Sequence, residues 1–403
     1  MSRQNIQKVL ALIGVGCLML VQFRARDHRP DFSDFKVYWL AGAKALAHLT
    51  VYDVEGHYQY KYSPFVALLW GVPHALGGSR YLWALMHYAV CAAGFLGLWF
   101  VCARLLDRTR SLWLWVIALF TFSIGLRDEL KLGQANLWPL LLVLPAWVSG
   151  ARPRAATGFD TKGLAIGAAW GFAVQWKLYA LVLGPLWLLR RRWSVFAGAI
   201  AFTLVSQGLL LALAHGSNFA WQENLRWVRS LSASSEELLI SQYNVSALGI
   251  LGKWGQHAGL RFGAWAYVLW LGLASAWGAI LVWSERSAEA RGSSYLVFWS
   301  ASWAWAGIVV LNPLVWPYWL CFCLPLYLAY VNEHAGRDLA FISVAGMFLL
   351  ANWLQNSALV HDGLSFVAVC ALLFDVQRRA RKRTADSLPR IYPVFPTRAT
   401  EAP

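Results

Sequence analysis

The stretch RRRWSVFAGAIAFTLVSQGLLLALA, residues 190–214, joins a cluster of arginines to a long apolar run. Residues 193–214 carry no charged side chain, and the run is close to the ~20 residues that an α-helix needs to cross a bilayer. Arginines next to such a run are typical of the cytoplasmic side of a membrane. The stretch therefore predicts a transmembrane helix that leaves the cytoplasm at residue 193.

Similar runs recur along most of the chain, for example at 9–23, 262–283 and 295–311. Of the 403 residues, 59% are hydrophobic and 14% are charged, with a mean hydropathy of +0.47. A soluble domain has roughly 25% charged residues. Continuous apolar runs favour helices over the alternating pattern of a membrane β-barrel. We therefore predict an all-α polytopic membrane protein.

The basic clusters predict the topology of the second half. Six segments alternate across the membrane after Arg192, at 193–214, 262–283, 295–311, 318–331, 339–355 and 363–376. The loops left outside are 215–261, 312–317 and 356–362, together with an earlier loop at 24–62.

Between residues 63 and 189 the charges do not fix the sides of the membrane. Apolar stretches lie near 63–78, 81–103, 111–126, 134–149 and 163–189, and either all five cross or 63–78 is only half-inserted. We predict about twelve transmembrane helices in one membrane domain of residues 1–376. Residues 377–403 are predicted to be a basic, disordered cytoplasmic tail.

The net charge of +15 does not indicate nucleic-acid binding. The basic residues cluster beside apolar runs, where they anchor the protein and contact anionic membrane lipids. All 6 cysteines lie in or at the ends of apolar runs and are read as small hydrophobic residues rather than metal ligands.

The first outside loop contains DFSDFKVYWLAGAKAL, residues 31–46. Its aromatic residues share one helical face, which predicts an amphipathic helix at the membrane surface. Asp31 is suited to cap this helix. Asp34, in its first turn, can interact favourably with the positive end of the helix dipole. The alternative is that one of these carboxylates performs chemistry.

The next stretch, TVYDVEGHYQYKYSPF at residues 50–65, crowds tyrosines and ionisable groups before a membrane segment. Four more motifs follow in order: GQANLWPLLL from Gly133, WKLYALVLGPLWLLRRRW from Trp176, YNVSALGIL from Tyr243 and LNPLVWPYWL from Leu311. The ordered series, over roughly residues 5–330, resembles the integral-membrane α-mannosyltransferases of glycosyltransferase family 87, which have the GT-C fold.

The resemblance implies transfer of a sugar, mannose above all, from a polyprenyl-phosphate donor to a hydroxyl of a glycolipid or glycan acceptor. It also implies a site on the outer face of a bacterial inner membrane, with no cofactor and no metal. Inverting transfer needs a carboxylate as general base. By position Asp34 matches the family's catalytic aspartate, and Asp31 is the reserve.

Several side chains are candidates for binding the substrates or the phosphate that leaves with the lipid. They are Lys61, Tyr62, Lys177, Asn244, Ser246, Lys253, His257 and Trp316. Each also has a structural explanation: Lys177 can pair inside the bundle or snorkel, and Trp316 can be an interfacial residue of a proline-bounded turn. Lys131, Gln134 and Asn136 are polar, but they receive no role because their side of the membrane is open.

A transporter or flippase for a lipid-linked sugar is the alternative function. Such a protein places its charged groups near the middle of the membrane. In this sequence they are concentrated in the outside loops, which favours the enzyme.

Overall fold

The computed structural model describes residues 32–52, 60–91, 129, 131–136, 138–143, 160–232, 236–241, 244, 246–291, 294–313, 323 and 325–326. Every regular element within these ranges is a helix, and none of the described residues forms a β-strand. The prediction of an all-α fold is confirmed for this part of the chain. The count of about twelve transmembrane helices stays a prediction, and the proposed boundary at residue 376 lies outside the described residues.

The helices in chain order are α1 (Ser33–Leu46), α2 (Pro64–Leu76), α3 (Thr161–Trp176), a 3-10 helix (Leu178–Leu183), α4 (Gly184–Leu189), α5 (Trp193–Thr203), a π-helix (Leu204–Leu210), α6 (Leu211–His215), α7 (Ser217–Ser232), α8 (Glu236–Leu239), α9 (Ala247–His257), α10 (Ala264–Arg291), α11 (Ser294–Ala306) and α12 (Ile308–Leu311). Residues 80–91, 131–132 and 138–143 are also helical.

Two continuous helical stretches in the described residues are long and apolar enough to cross a membrane, Trp193–His215 and Ala264–Ser287. They coincide with the predicted spans at 193–214 and 262–283. Large apolar side chains on both are exposed, as with Leu213 at 74%, which suits a surface in contact with lipid.

Helix α1 confirms the predicted helix within residues 31–46, and it packs closely on α2. Its position on the outer side of the membrane stays a prediction. Phe35 and Tyr38 are buried on its inner face. At Gly42 a Cβ atom would collide with the backbone of Trp70, so only glycine permits this approach. The contact holds the first turn of α1, with Asp34, against the neighbouring segments.

The predicted N-cap of this helix was wrong. The helix begins at Ser33, and its N-cap residue is Phe32 in the left-handed region (φ 48°, ψ 35°), whose side chain makes no capping hydrogen bond. Phe32 is buried, and its N–H donates to the carbonyl oxygen of Lys131 at 3.2 Å. A tertiary contact therefore fixes the start of α1, and Asp31 lies outside the described residues.

The apolar stretch 163–189 was predicted as one crossing, but it is not one helix. Helix α3 ends at Trp176, and Lys177 is extended (φ −149°, ψ 111°) before the 3-10 helix begins. The indole N–H of Trp170 donates to the carbonyl oxygen of Ala180 at 2.8 Å, which satisfies a backbone group beyond the break. The helix is thus interrupted at Lys177, whose side chain hydrogen-bonds Tyr62 and Gln134.

Candidate active site

Backbone contacts bring four distant segments together around the first turn of α1. The N–H of Ser63, which caps α2, donates to the carbonyl oxygen of Gln175 at 3.2 Å. Gly133 has a φ of +70°, and a Cβ there would lie 2.9 Å from the Cβ of Phe35. Only glycine suits both the conformation and the space, so Gly133 lets the 131–136 segment lie against α1.

Asp34 lies half-buried in the first turn of α1, where the helix dipole favours a carboxylate. Its Oδ2 accepts a hydrogen bond from Nε2 of Gln134. Gln134 is buried, with 6% of its surface exposed. The general-base candidate is thus held by a side chain a hundred positions away.

Lys177 reaches the same amide from the other side. Its Nζ donates to the hydroxyl of Tyr62 at 2.6 Å and to Oε1 of Gln134 at 3.3 Å. The ammonium also lies 4.3 Å from the centre of the Tyr62 ring, within range of a cation–π contact. Asp34, Tyr62 and Lys177, three predicted site residues, therefore belong to one hydrogen-bonded network.

Tyrosine hydroxyls complete this network. Tyr38 hydrogen-bonds the Tyr62 hydroxyl at 3.0 Å and donates to Oε1 of Gln134 at 3.3 Å. Burial, followed by the proximity of Tyr62 and of Asp34, raises the pKa of Tyr38 well above its usual value. The Tyr38 hydroxyl therefore stays protonated at neutral pH and acts as a donor.

A buried carboxylate supports the segment that carries Gln134. Glu129 accepts hydrogen bonds from the backbone N–H of Asn136 at 2.7 Å and from its Nδ2 at 2.6 Å. The Tyr179 hydroxyl donates to the carbonyl oxygen of Asn136 at 3.2 Å. His87 bonds the carbonyl oxygen of Gln134 through Nε2 at 3.1 Å. The backbone beneath the Gln134 side chain is thus fixed from several sides.

Three other predicted residues form a second cluster, at the start of α9. Ser246 caps α9, accepting from the N–H of Gly249 at 2.9 Å and donating to the carbonyl oxygen of Pro313 at 2.7 Å. Asn244 donates to the same Pro313 oxygen at 2.9 Å. Lys253 donates to the carbonyl oxygen of Asn244 at 2.8 Å. All of these contacts involve backbone atoms, and the two bonds to Pro313 join the start of α9 to the turn after α12.

The remaining predicted residues do not meet in one place. Lys61 is half-buried, and burial lowers the pKa of its amine. His257 is exposed in the last turn of α9. Asp31 and Trp316 lie outside the described residues, and their proposed roles stay predictions.

Helix α7 was not predicted from the sequence, although it braces the first outside loop. Its Glu223 is buried and accepts from the backbone N–H of Val51 at 3.1 Å. Arg226 pairs with the same carboxylate at 2.6 Å. Trp227 donates from Nε1 to the carbonyl oxygen of Lys61 at 3.2 Å. The loops at 24–62 and 215–261, both predicted outside, are therefore in contact.

Sequence reasoning left Gln134, Asn136 and Glu129 without a role. Gln134 and Asn136 could have been identified from the GQAN motif, because it is one of the motifs that follow the order of the family series. The motif received no role because the sequence did not show on which side of the membrane it lies. In the structure this segment contacts the start of α1.

No group of three or more His, Cys, Asp or Glu side chains within the described ranges could hold a metal ion. The expectation of a metal-independent reaction stays a prediction.

Comparison with known proteins identifies the family. The model of glycosyltransferase family 87 matches residues 60–298, which include Tyr62, Gln134 and Lys177 but begin after Asp34. No curated protein and no solved structure matches the chain. Since the match covers more than half of the sequence, the chain belongs to glycosyltransferase family 87.

Proposed function

We propose that this glycosyltransferase moves mannose from a polyprenyl-phosphate donor to a hydroxyl of a glycolipid or glycan acceptor. One observation carries the proposal: the Asp34 carboxylate and the Lys177 ammonium both hydrogen-bond the side-chain amide of Gln134. Sugar transfer from a phosphate needs a base for the acceptor and a positive charge for the leaving group. In this structure the candidate base, Asp34, and the candidate positive charge, Lys177, bind opposite atoms of the same side-chain amide.

In the proposed step the acceptor oxygen attacks the anomeric carbon as the bond from that carbon to the phosphate oxygen breaks. Asp34 takes the proton of the acceptor hydroxyl as the new glycosidic bond forms. A single displacement of this kind inverts the anomeric configuration. Asp31, next to α1, is the reserve base.

The leaving group gains negative charge as the phosphodiester becomes a phosphate monoester. Lys177 carries the positive charge of the network, and Tyr62 supplies a hydroxyl beside it. Lys61, one residue before Tyr62, is the third group proposed for this side of the donor. The residues proposed to contact the acceptor are His257 and Trp316. Asn244, Ser246 and Lys253 bond backbone oxygens, and we propose that they hold the loop beside the acceptor.

We further propose a GT-C-like bundle of about twelve membrane helices over residues 1–376, with the site at the outer face of a bacterial inner membrane. The donor lipid would reach Asp34 along the apolar surface of the bundle. The proposed step uses no metal and no cofactor.

The test is transfer from radiolabelled polyprenyl-phosphate-mannose to extracted membrane glycolipids by purified protein. Asp34→Asn should lower the transfer rate by about 10²- to 10⁴-fold, the usual contribution of a general base, without weakening donor binding. Asp160→Asn is the matched control, because Asp160 caps α3 and asparagine caps as well. It should leave transfer unchanged.

Full activity in the Asp34→Asn variant would assign the base elsewhere, first to Asp31. If the wild-type protein transfers none of the sugars offered but moves a labelled sugar lipid across vesicles, the flippase is the better description.

A further inference from the structure

Gln134 lies in the middle of the polar network, between the Lys177 ammonium, which can only donate hydrogen bonds, and the Asp34 carboxylate, which accepts them. Its Oε1 has three donors at 3.3–3.4 Å: the Tyr38 hydroxyl, Lys177 Nζ and Asn136 Nδ2. Its Nε2 donates to Oδ2 of Asp34. With 6% of its surface exposed, the amide has little access to water as a substitute partner.

The orientation of this amide follows from its neighbours. An ammonium group offers only donors, and an ionised carboxylate offers only acceptors. A flipped amide would set N–H groups against Lys177 and an oxygen against the Asp34 carboxylate. Both contacts would be repulsive, so these two neighbours favour the orientation with Oε1 toward Lys177 and Nε2 toward Asp34.

The hydroxyls extend this direction into a chain of donors. Lys177 donates to Tyr62, and the Tyr62 hydroxyl can then donate to Tyr38, since Tyr38 donates to Gln134. Among the hydrogen bonds of the described residues, the link from Lys177 to Asp34 runs through the Gln134 amide. Hydrogen bonds in such a chain polarise one another and fix its members.

We propose that Gln134 is a positioning residue for the transfer reaction, which aligns the carboxylate of Asp34 and couples it to Lys177. The inference rests on the proposed role of Asp34 as general base. Gln134 does not touch the reacting atoms in this scheme. It keeps one carboxylate oxygen engaged, so that the carboxylate holds a single orientation toward the acceptor hydroxyl.

Gln134→Glu separates this role from a structural one. The substituted side chain has nearly the same shape, and it can still accept from Tyr38, Lys177 and Asn136. It loses only the donor to Asp34 and puts a second negative charge there. The titratable groups around the site, which stay the same, are Tyr38, Tyr62, His87, Glu129 and Lys177.

We expect kcat for polyprenyl-phosphate-mannose to fall about tenfold or more, because misalignment of a catalytic group by a fraction of an ångström is costly. KM for the donor should stay within about threefold of the wild-type value, since the contacts of Lys177 remain. A neighbouring carboxylate disfavours the ionised form of Asp34, so the acidic limb of the kcat–pH profile should move upward by about one unit.

Asp34→Asn is measured alongside, because it tests the proposed function itself. If Asp34→Asn keeps its activity, the function proposed for Asp34 fails and this inference fails with it. If Asp34→Asn is inactive while Gln134→Glu matches the wild type in kcat and in pH profile, only the positioning role is overturned.

Gln134→Met is the second variant, used also if the first does not fold. It removes both the donor to Asp34 and the acceptor for Lys177, Tyr38 and Asn136 without adding charge, so kcat should again fall about tenfold. A wild-type kcat in this variant would overturn the inference.

Discussion

Two buried lysines, Lys177 and Lys253, are 6% and 8% exposed, yet their ammonium groups have different partners. Lys177 contacts side chains of an acid-containing network, namely Tyr62 and Gln134. Lys253 donates to a backbone carbonyl oxygen of Asn244. Among the described contacts, only that of Lys177 leads through side chains to a carboxylate, and a group linked in this way can respond to charge that develops in a reaction. The first network is therefore proposed as the catalytic centre and the second cluster as its support.

Exchanging each lysine for methionine should give the largest difference in transfer rate between the two regions. Lys177→Met removes the positive charge proposed for the leaving phosphate, and transfer should fall by about 100-fold or more. Lys253→Met, the matched control, should keep kcat within about twofold and lower the midpoint of thermal unfolding in detergent. Equal losses of transfer in both variants would remove the distinction between the regions.

Removing the Tyr62 hydroxyl should have the next largest effect. Tyr62→Phe keeps the ring under Lys177 but deletes a hydrogen bond to a charged group, and we expect transfer to fall about tenfold. Tyr60→Phe is the control, since the Tyr60 hydroxyl donates to the backbone oxygen of Ser63. Steady-state rates for the two variants should differ. An unchanged rate in Tyr62→Phe would show that the lysine acts without this partner.

Gly133→Ala tests whether the contact of the GQAN segment with α1 holds the network together. The new methyl group would meet Phe35 and would also require a left-handed backbone, so unfolding should become easier by about 1–3 kcal/mol. Gly259→Ala has a similar φ of +74° but nothing within 4 Å of the added carbon. It should cost about 1 kcal/mol and leave transfer unchanged. Similar unfolding midpoints for the Gly133→Ala and Gly259→Ala variants would show that α1 can shift to make room for the added methyl group.

The smallest effect is expected at the cap of α9. Ser246→Ala loses the cap and the bond to Pro313, which should lower the unfolding free energy by about 1–2 kcal/mol. The rate of transfer should not change if this cluster only supports the loop. Chemical unfolding and initial rates on one preparation measure both. A large fall in rate with normal stability would return Ser246 to substrate binding.

Much of the site was predictable from residue types and their order. The amphipathic helix after residue 31, the carboxylate in its first turn and the interior Lys177 all follow from local pattern, because periodicity and buried charge are visible in the sequence. The same reasoning chose the wrong cap for α1 and did not predict where the helix within 163–189 ends. In both places a long-range contact overrides the local preference, at Phe32 through Lys131 and at Lys177 through Tyr62 and Gln134.

The sequence by itself determined that the described chain is helical and strongly apolar, because its apolar runs are continuous, whereas the strands of a membrane barrel alternate apolar and polar residues. The ordered motifs also identified the family. Tertiary structure alone decided which polar residues are hydrogen-bonded to one another. Asp34, Gln134 and Lys177 are separated by long stretches of chain, and hydrogen bonding between side chains depends on distance and direction, which no local pattern encodes.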